Sequence, residues 1–307
     1  MECRSTVVSL SRCSGYNPTD LRKIIDRVLE PLILPPLSGS TRVLLKPNLI
    51  SVKCGTLACT EAEFILAVAD WFLERGVRLS LGDSPAFGTA LHILRKLDLF
   101  GRLRQRGVHV CDFKEAVPVQ LSSGVRIGVA REVLETDLLV NIPRVKAHGQ
   151  VLMTMAVKNC FGCVVGMRKP WLHMVHGGSH GQFPVLLAEL LDVLPSTLSV
   201  LDGVVAMHGT GPIRGKEYHL GLIGASMNPV ALDSAFYQII GVDPHRVPLW
   251  HACRHTGKVG LNLEELVYPL ERPDDVLVDD FQVPDLLSPI RFRPFRFVRN
   301  SIKRLFS

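Results

Sequence analysis

The sequence predicts an α/β fold, a mainly parallel or mixed sheet with helices on both faces. Two observations carry this. In the first half, short buried apolar runs at 42–46, 77–82, 108–111 and 137–142 alternate with stretches of helical spacing. That alternation is how a parallel sheet with crossover helices is written. Several runs also end in polar residues: Lys46 and Asn48, Asp83 and Ser84, Asn141 and Lys146, and Asp202. In a parallel sheet such ends share one edge, where open α/β sheets build ligand sites, although each residue alone also suits a turn.

The elements follow in order. RVLLK (42–46) is a strand ending at Lys46-Pro47-Asn48. A loop runs to Cys59, and Thr60 with Glu63 has capping-box spacing. Phe64, Val68, Trp71 and Phe72 recur at helical intervals up to Gly76. VRLSLG (77–82) is the next strand, and a helix is expected over 88–100. Strands are expected at 108–111 and 125–130, the second antiparallel to a neighbour, and at 137–142. The second half shows helical patterns at 182–194 and 229–240 and strands at 197–202 and 218–224. Residues 164–182, rich in Gly and His, read as a long functional loop. Its His173, His176 and His180 have spacings that suit a metal on a helix, or belong to a lid. Glycines after Asp202 match neither GxGxxG nor a P-loop. The organisation expected is an N-terminal extension (1–40), a single α/β domain (41–288) and a C-terminal tail (289–307).

Composition narrows the class. The chain has 307 residues, 47% hydrophobic and 21% charged, as a globular protein does. No apolar run approaches the roughly 20 residues of a membrane span, and the start lacks a signal core, so a cytoplasmic protein is expected. The net charge is +6, but six basic residues and no acidic ones lie between Pro289 and Ser307. The remainder is charge-balanced, which argues against a nucleic-acid surface. The tail interleaves those basic residues with Phe292, Phe295, Phe297 and Phe306. It reads as a segment docked on the body, or as a peripheral membrane or protein contact.

The densest chemistry lies between Asp137 and Gly166. Lys146 and His148 are two apart, so an extended chain points them the same way, suited to holding an anion and shuttling a proton. Lys158 and Asn159 follow an apolar turn and lead into Cys160-Phe-Gly-Cys163. Eight cysteines without an export signal do not suggest disulfides. Cys160 and Cys163 with Cys54 and Cys59 would supply four thiolates for a 4Fe-4S cluster or zinc. The alternatives are unrelated buried thiols or a redox dithiol.

The pieces LLKPNL (44–49), GDSP (82–85), NIPRVKAHG (141–149), VKNCFG (157–162), LDGVVAMHGTGP (201–212) and NPVALDSAFYQIIG (228–241) together resemble the family known as domain of unknown function 362. The resemblance covers about residues 41–245. It implies that Lys46, Asn48, Asp83, Lys146, His148, Lys158, Asn159, Asp202 and Asp233 occupy the family's recurring polar positions. Some members carry an appended ferredoxin-like module, which implies a redox context and a ferredoxin-like electron partner. No cysteine follows Cys253, so no such module is expected here.

The expectation is therefore a redox enzyme associated with an iron–sulfur centre and acting on a small anionic molecule. Lys146, His148 and Asp83 would be catalytic. Lys46, Asn48, Lys158, Asn159, Asp202 and Asp233 would bind substrate, and Cys54, Cys59, Cys160 and Cys163 would bind metal. The alternatives are a transferase or hydrolase using a divalent metal, Zn or Mg, or a non-catalytic protein that binds a metal or partner.

Overall fold

A computed structural model of the chain describes residues 6–52, 55–85, 88–165 and 182–287. The expected α/β class holds. In chain order the elements are β1 (Thr6–Val7), β2 (Ser9–Arg12), α1 (Pro18–Leu29), β3 (Arg42–Pro47), α2 (Ala62–Leu73) and β4 (Arg78–Asp83). There follow α3 (Ala90–Lys96), α4 (Phe100–Gln105), β5 (His109–Asp112), β6 (Ala116–Gln120), β7 (Arg126–Ala130), α5 (Arg131–Leu134), β8 (Leu138–Ile142), β9 (Arg144–His148) and β10 (Leu152–Thr154). The chain continues through α6 (Ala156–Asn159), a 3-10 turn (Cys160–Cys163), α7 (Gln182–Leu190), β11 (Thr197–His208), β12 (Lys216–Ser226), α8 (Pro229–Ile239), α9 (Pro248–His255) and β13 (Leu266–Val267).

Nine strands form one mixed sheet. Its path runs β10-β9-β11-β8-β3-β4-β5, with β12 and then β2 added on β11. β3, β4, β5 and β8 are parallel, and β11 is parallel to both β8 and β9. From β3 the chain steps outward to β4 and β5, then returns to place β8 on the other side of β3. The strand order reverses there, which is the ligand-binding position of open α/β sheets. Lys46 and Asn141 face each other in register across that switch point.

Alternation along the strands shows that both faces are covered. Val43, Leu45, Leu138, Val140 and Ile142 join the core under α1 to α4. Leu44 and Leu139 face the opposite way, into a core with Val133, Cys160, Cys163 and Leu190. Lys46 follows Leu44 by two, so it projects on the side of the 3-10 turn. After Pro143 the chain leaves β3 and continues as β9 beside the far half of β11. Described residues beyond Pro47 bond to this stretch: the Thr60 hydroxyl donates to Ile142 O, and Ala58 O and Cys59 O accept from Lys146 and Arg144.

Some expectations need correction. The helix expected at 88–100 is two helices, because Asp98 sits at φ 54°, in the left-handed region. Thr60 is not the cap of α2. Glu61 precedes the helix without a side-chain cap, and the Thr60 hydroxyl instead donates to Ile142 O at 2.7 Å and accepts from Asn48 N at 2.9 Å. The strand expected at 197–202 runs on to His208, because residues past Asp202 pair with β9 and β12. Before the expected domain start, β2 pairs with β12 and α1 packs its apolar face into the core. Cys54, the three loop histidines and the basic tail lie outside the described residues. Among those described, no helix is long and apolar enough to cross a membrane.

Candidate functional site

Lys46, at the end of β3, is 1% exposed, and its Nζ lies 2.9 Å from Asp83 Oδ1 at the end of β4. Asp83 is also held by Ser84 N at 2.9 Å and Leu49 N at 3.1 Å. Gly162, in the 3-10 turn, lies directly on this pair. A Cβ there would overlap Lys46 Cε and Nζ and Asp83 Oδ1. Glycine is thus required by close approach.

Lys146 on β9 is fully buried and donates to Asn48 Oδ1 and to Ala58 O, the latter at 2.7 Å. From there the amides form a chain. Asn48 Nδ2 donates to Asn159 Oδ1 at 2.7 Å, Asn159 Nδ2 donates to Asn141 Oδ1 at 2.8 Å, and Asn141 Nδ2 donates to Ala156 O and Ser199 Oγ. Each amide has one orientation that satisfies both neighbours, so the chain is directional. It ties β3, β8, β9 and α6 together at the switch point.

Lys158 on α6 differs from the other two lysines. Its Nζ lies 5.0 Å from the Phe161 ring centroid and 5.6 Å from that of Phe183. Among the described residues it has neither a hydrogen-bond acceptor nor a carboxylate partner. Burial, with Lys46 nearby, lowers its pKa to about 8. Burial lowers Lys146 to about 7, with Arg144, Lys158 and Lys46 adding to the effect. Among the described residues, Asp83 is the one carboxylate ion-paired with any of the three lysines.

Two expected site residues have supporting positions. Both Asp233 oxygens, from α8, accept the first N–H groups of α6, Ala156 N at 2.7 Å and Val157 N at 3.1 Å. Burial pushes this carboxyl up to about 7 against the pull of those bonds. Asp233 thus fixes the helix that carries Lys158 and Asn159. His148 Nδ1 accepts Gln150 N at 3.1 Å, which places any ring proton of the neutral form on Nε2.

Asp202 belongs to a second cluster beside the first. It accepts from Tyr16 Oη at 2.8 Å, Glu61 N at 3.2 Å and Val204 N at 3.3 Å. Arg144 is 2% exposed and lies 3.7 Å from Asp202 and 3.6 Å from Glu61. It donates to Val205 O, Cys59 O and Tyr16 Oη. Burial and Asp202 push the Tyr16 phenol far up, so it stays a donor. Sequence reasoning missed Arg144, Tyr16 and Gly162 as participants. The one available signal was Arg144 directly after Pro143 in the NIPRVKAHG segment.

Cys59, Cys160 and Cys163 are fully buried. Burial raises the Cys160 and Cys59 thiols, with Cys163 adding to the first and Lys146 opposing the second. The expected four-thiolate centre also needs Cys54, outside the described residues. Among those described, no three His, Cys, Asp or Glu side chains gather to hold a metal ion.

The family model described as "Domain of unknown function (DUF362)" matches residues 43–238. The chain is 34% identical over 305 residues to the thylakoid-associated protein sll1697 of Synechocystis sp. (strain ATCC 27184 / PCC 6803 / Kazusa), covering 97% of this chain and 94% of that protein. It is 28% identical over 151 residues to glutamate racemase of Yersinia enterocolitica, covering 49% of this chain and 50% of that one. The lactate racemase apoprotein from Thermoanaerobacterium thermosaccharolyticum shares the fold, with a TM-score of 0.50 at 12% identity over 76% of this chain and 57% of that chain. The match over most of the chain, on the segments that build the lysine cluster, establishes that the protein belongs to the DUF362 family.

Proposed function

We propose that the protein is an enzyme acting on a small anionic substrate, a carboxylate or phosphate, held at the β3/β8 switch point by Lys46, Lys146 and Lys158. One observation carries this reading: among the described residues, three neighbouring lysine amines have one ion-paired carboxylate, Asp83. Uncompensated charge in a low-dielectric interior is costly, and a bound anion would offset it. An amine held near pH 7 exchanges protons readily, which suits Lys146 to acid–base work. The name glutamate racemase, borne by the relative similar over half the chain, concerns a substrate of the same class.

Calorimetric titration with pyruvate and with inorganic phosphate at low ionic strength tests the reading. Saturable binding is expected, weakened by about tenfold or more (about 1.4 kcal/mol) in Lys158→Met. No saturable binding of either anion, or equal affinity in the variant, removes the reading. The redox alternative rests on the cysteines and has its own test. Stoichiometric iron and sulfide in protein purified without oxygen, lost on Cys160→Ser, would replace the present reading with a cluster-bearing one.

We also propose peripheral membrane association through residues 289–307. This is supported by the six basic residues interleaved with aromatics, and by the thylakoid association in the name of the 34% identical relative. Basic residues near an anionic surface contribute about 1 kcal/mol each. Co-sedimentation with vesicles rich in anionic lipid should be lost when residues 289–307 are deleted, or in high salt. Unchanged sedimentation after deletion sinks the proposal.

A further inference from the structure

We propose that Lys158 is a covalent nucleophile, forming an imine with the carbonyl carbon of a small 2-oxo acid. The inference deepens the anion-binding reading and rests on it.

The geometry separates Lys158 from its two neighbours. The Lys46 amine is committed to Asp83 and to Pro47 O, 3.1 Å away. The Lys146 amine is fully enclosed and directs two N–H groups at Asn48 Oδ1 and Ala58 O. Lys158 alone keeps some exposed surface. Its amine has no hydrogen-bond acceptor among the described residues. It faces the Phe161 and Phe183 rings, which meet edge to face with centroids 5.2 Å apart and planes at 89°. An ammonium needs acceptors for three protons, and two rings supply only part of that. An amine set against apolar rings, with no acceptor among the described residues to hold its proton, is the kind of lysine proteins use to attack carbonyls. Asp233, gripping the start of α6, and Asn159, tied to Asn48 and Asn141, hold the four-residue helix that carries the amine.

The substrate class follows from the pairing. The cationic cluster recognises a carboxylate, and an amine without an acceptor among the described residues suits an adjacent carbonyl. The Lys158 lone pair attacks the carbonyl carbon, and the carbonyl oxygen takes a proton as the amine gives one up. The resulting carbinolamine expels water, leaving a C=N bond to Nζ. Amine and ketone become imine and water, with no change in oxidation state.

Full-length protein is incubated with pyruvate and sodium borohydride, digested, and the peptides are weighed. Borohydride delivers hydride to the imine carbon and fixes the adduct as a secondary amine. The expected result is one reduced pyruvate unit on the peptide containing Lys158, requiring both reagents. It should be absent in Lys158→Arg, which still binds pyruvate by calorimetry, and in unfolded parent protein. Pyruvate binding without an adduct overturns the imine and leaves the anion-binding reading standing. An adduct on Lys146 instead overturns the assignment to Lys158. Neither binding nor adduct overturns both. Should Lys158→Arg misfold, Lys146→Arg supplies the control: it should keep the adduct on the Lys158 peptide, and its loss there overturns the assignment.

Discussion

The Arg144 cluster and the lysine cluster share a wall, the Ala58–Cys59 stretch. Its carbonyls receive Lys146 on one side and Arg144 on the other. The lysine cluster ties β9 to the ends of β3 and β4 through Lys146–Asn48 and Lys46–Asp83, and the arginine cluster sets Arg144 on β9 beside Asp202 on β11. They differ in charge balance. Arg144 meets two carboxylates, Asp202 and Glu61, and the polar groups around it close on one another through Tyr16. The lysine cluster, among the described residues, sets three amines against Asp83. A satisfied buried network holds a fold together. An unsatisfied one lowers stability and is retained where a ligand completes it.

The two clusters should therefore respond in opposite directions to the same kind of substitution. Arg144→Met strands Asp202, which is fully buried, and is expected to cost about 3–5 kcal/mol in denaturant unfolding. Lys158→Met removes an amine without an acceptor among the described residues and places a thioether beside two rings. It should raise stability by up to about 1 kcal/mol while weakening anion binding. If both variants lose stability equally, the lysine cluster is structural and the distinction collapses.

Gly162 sharpens the comparison at the one point where the lysine cluster is balanced. Gly162→Ala pushes a methyl into the Lys46–Asp83 pair, and overpacking of this kind costs about 1–3 kcal/mol. Pyruvate affinity should fall with it, because Lys46 must move. A fully stable variant with parental affinity would show that the turn yields without disturbing the pair.

How far this contrast could be read from residues alone follows from the range of each interaction. The buried strands and their polar ends were legible, because an apolar run that stops at Lys46, Asp83 or Asn141 is a local pattern. Clustering of those ends also followed from a parallel sheet. Which ends touch was not legible. Asn48 meets Asn159 across 111 positions and Tyr16 meets Asp202 across 186, and no spacing rule spans such separations. Thr60 shows a local pattern overridden: its spacing to Glu63 suits a cap, yet its hydroxyl bonds Ile142 O. Helix α6, at four residues, is too short to show a period. Asp202 and Asp233 were recognised as polar positions, but their roles, closing the arginine cluster and fixing α6, depend on partners supplied by the fold.

The pH dependence of stability separates the clusters without removing any atoms. Lys146 and Lys158 are held at about 7 and about 8, against 10.5 for an unburied lysine. Between about pH 8 and 10 the unfolded chain therefore binds protons that the folded chain has released. Stability from these groups must rise with pH through that window, by up to about 1.4 kcal/mol per pH unit for each lysine. Below about pH 7 both amines are charged in either state, and that contribution is absent. Lys158→Met and Lys146→Met should each flatten the slope. Arg144 keeps its proton in both states across this range, but its charge helps hold the Lys146 amine low, so Arg144→Met should lower the whole curve and flatten its slope less than either lysine variant does. Anion affinity should run the other way, falling as pH rises past 7 to 8 and the amines lose charge. The buried Cys59 and Cys160 thiols, raised by burial, pull the parental curve the other way as the unfolded thiols ionise, so the comparison is between parent and variant: an unchanged slope in both Lys158→Met and Lys146→Met would mean that both amines are already compensated, and the charge imbalance behind the functional reading would be gone.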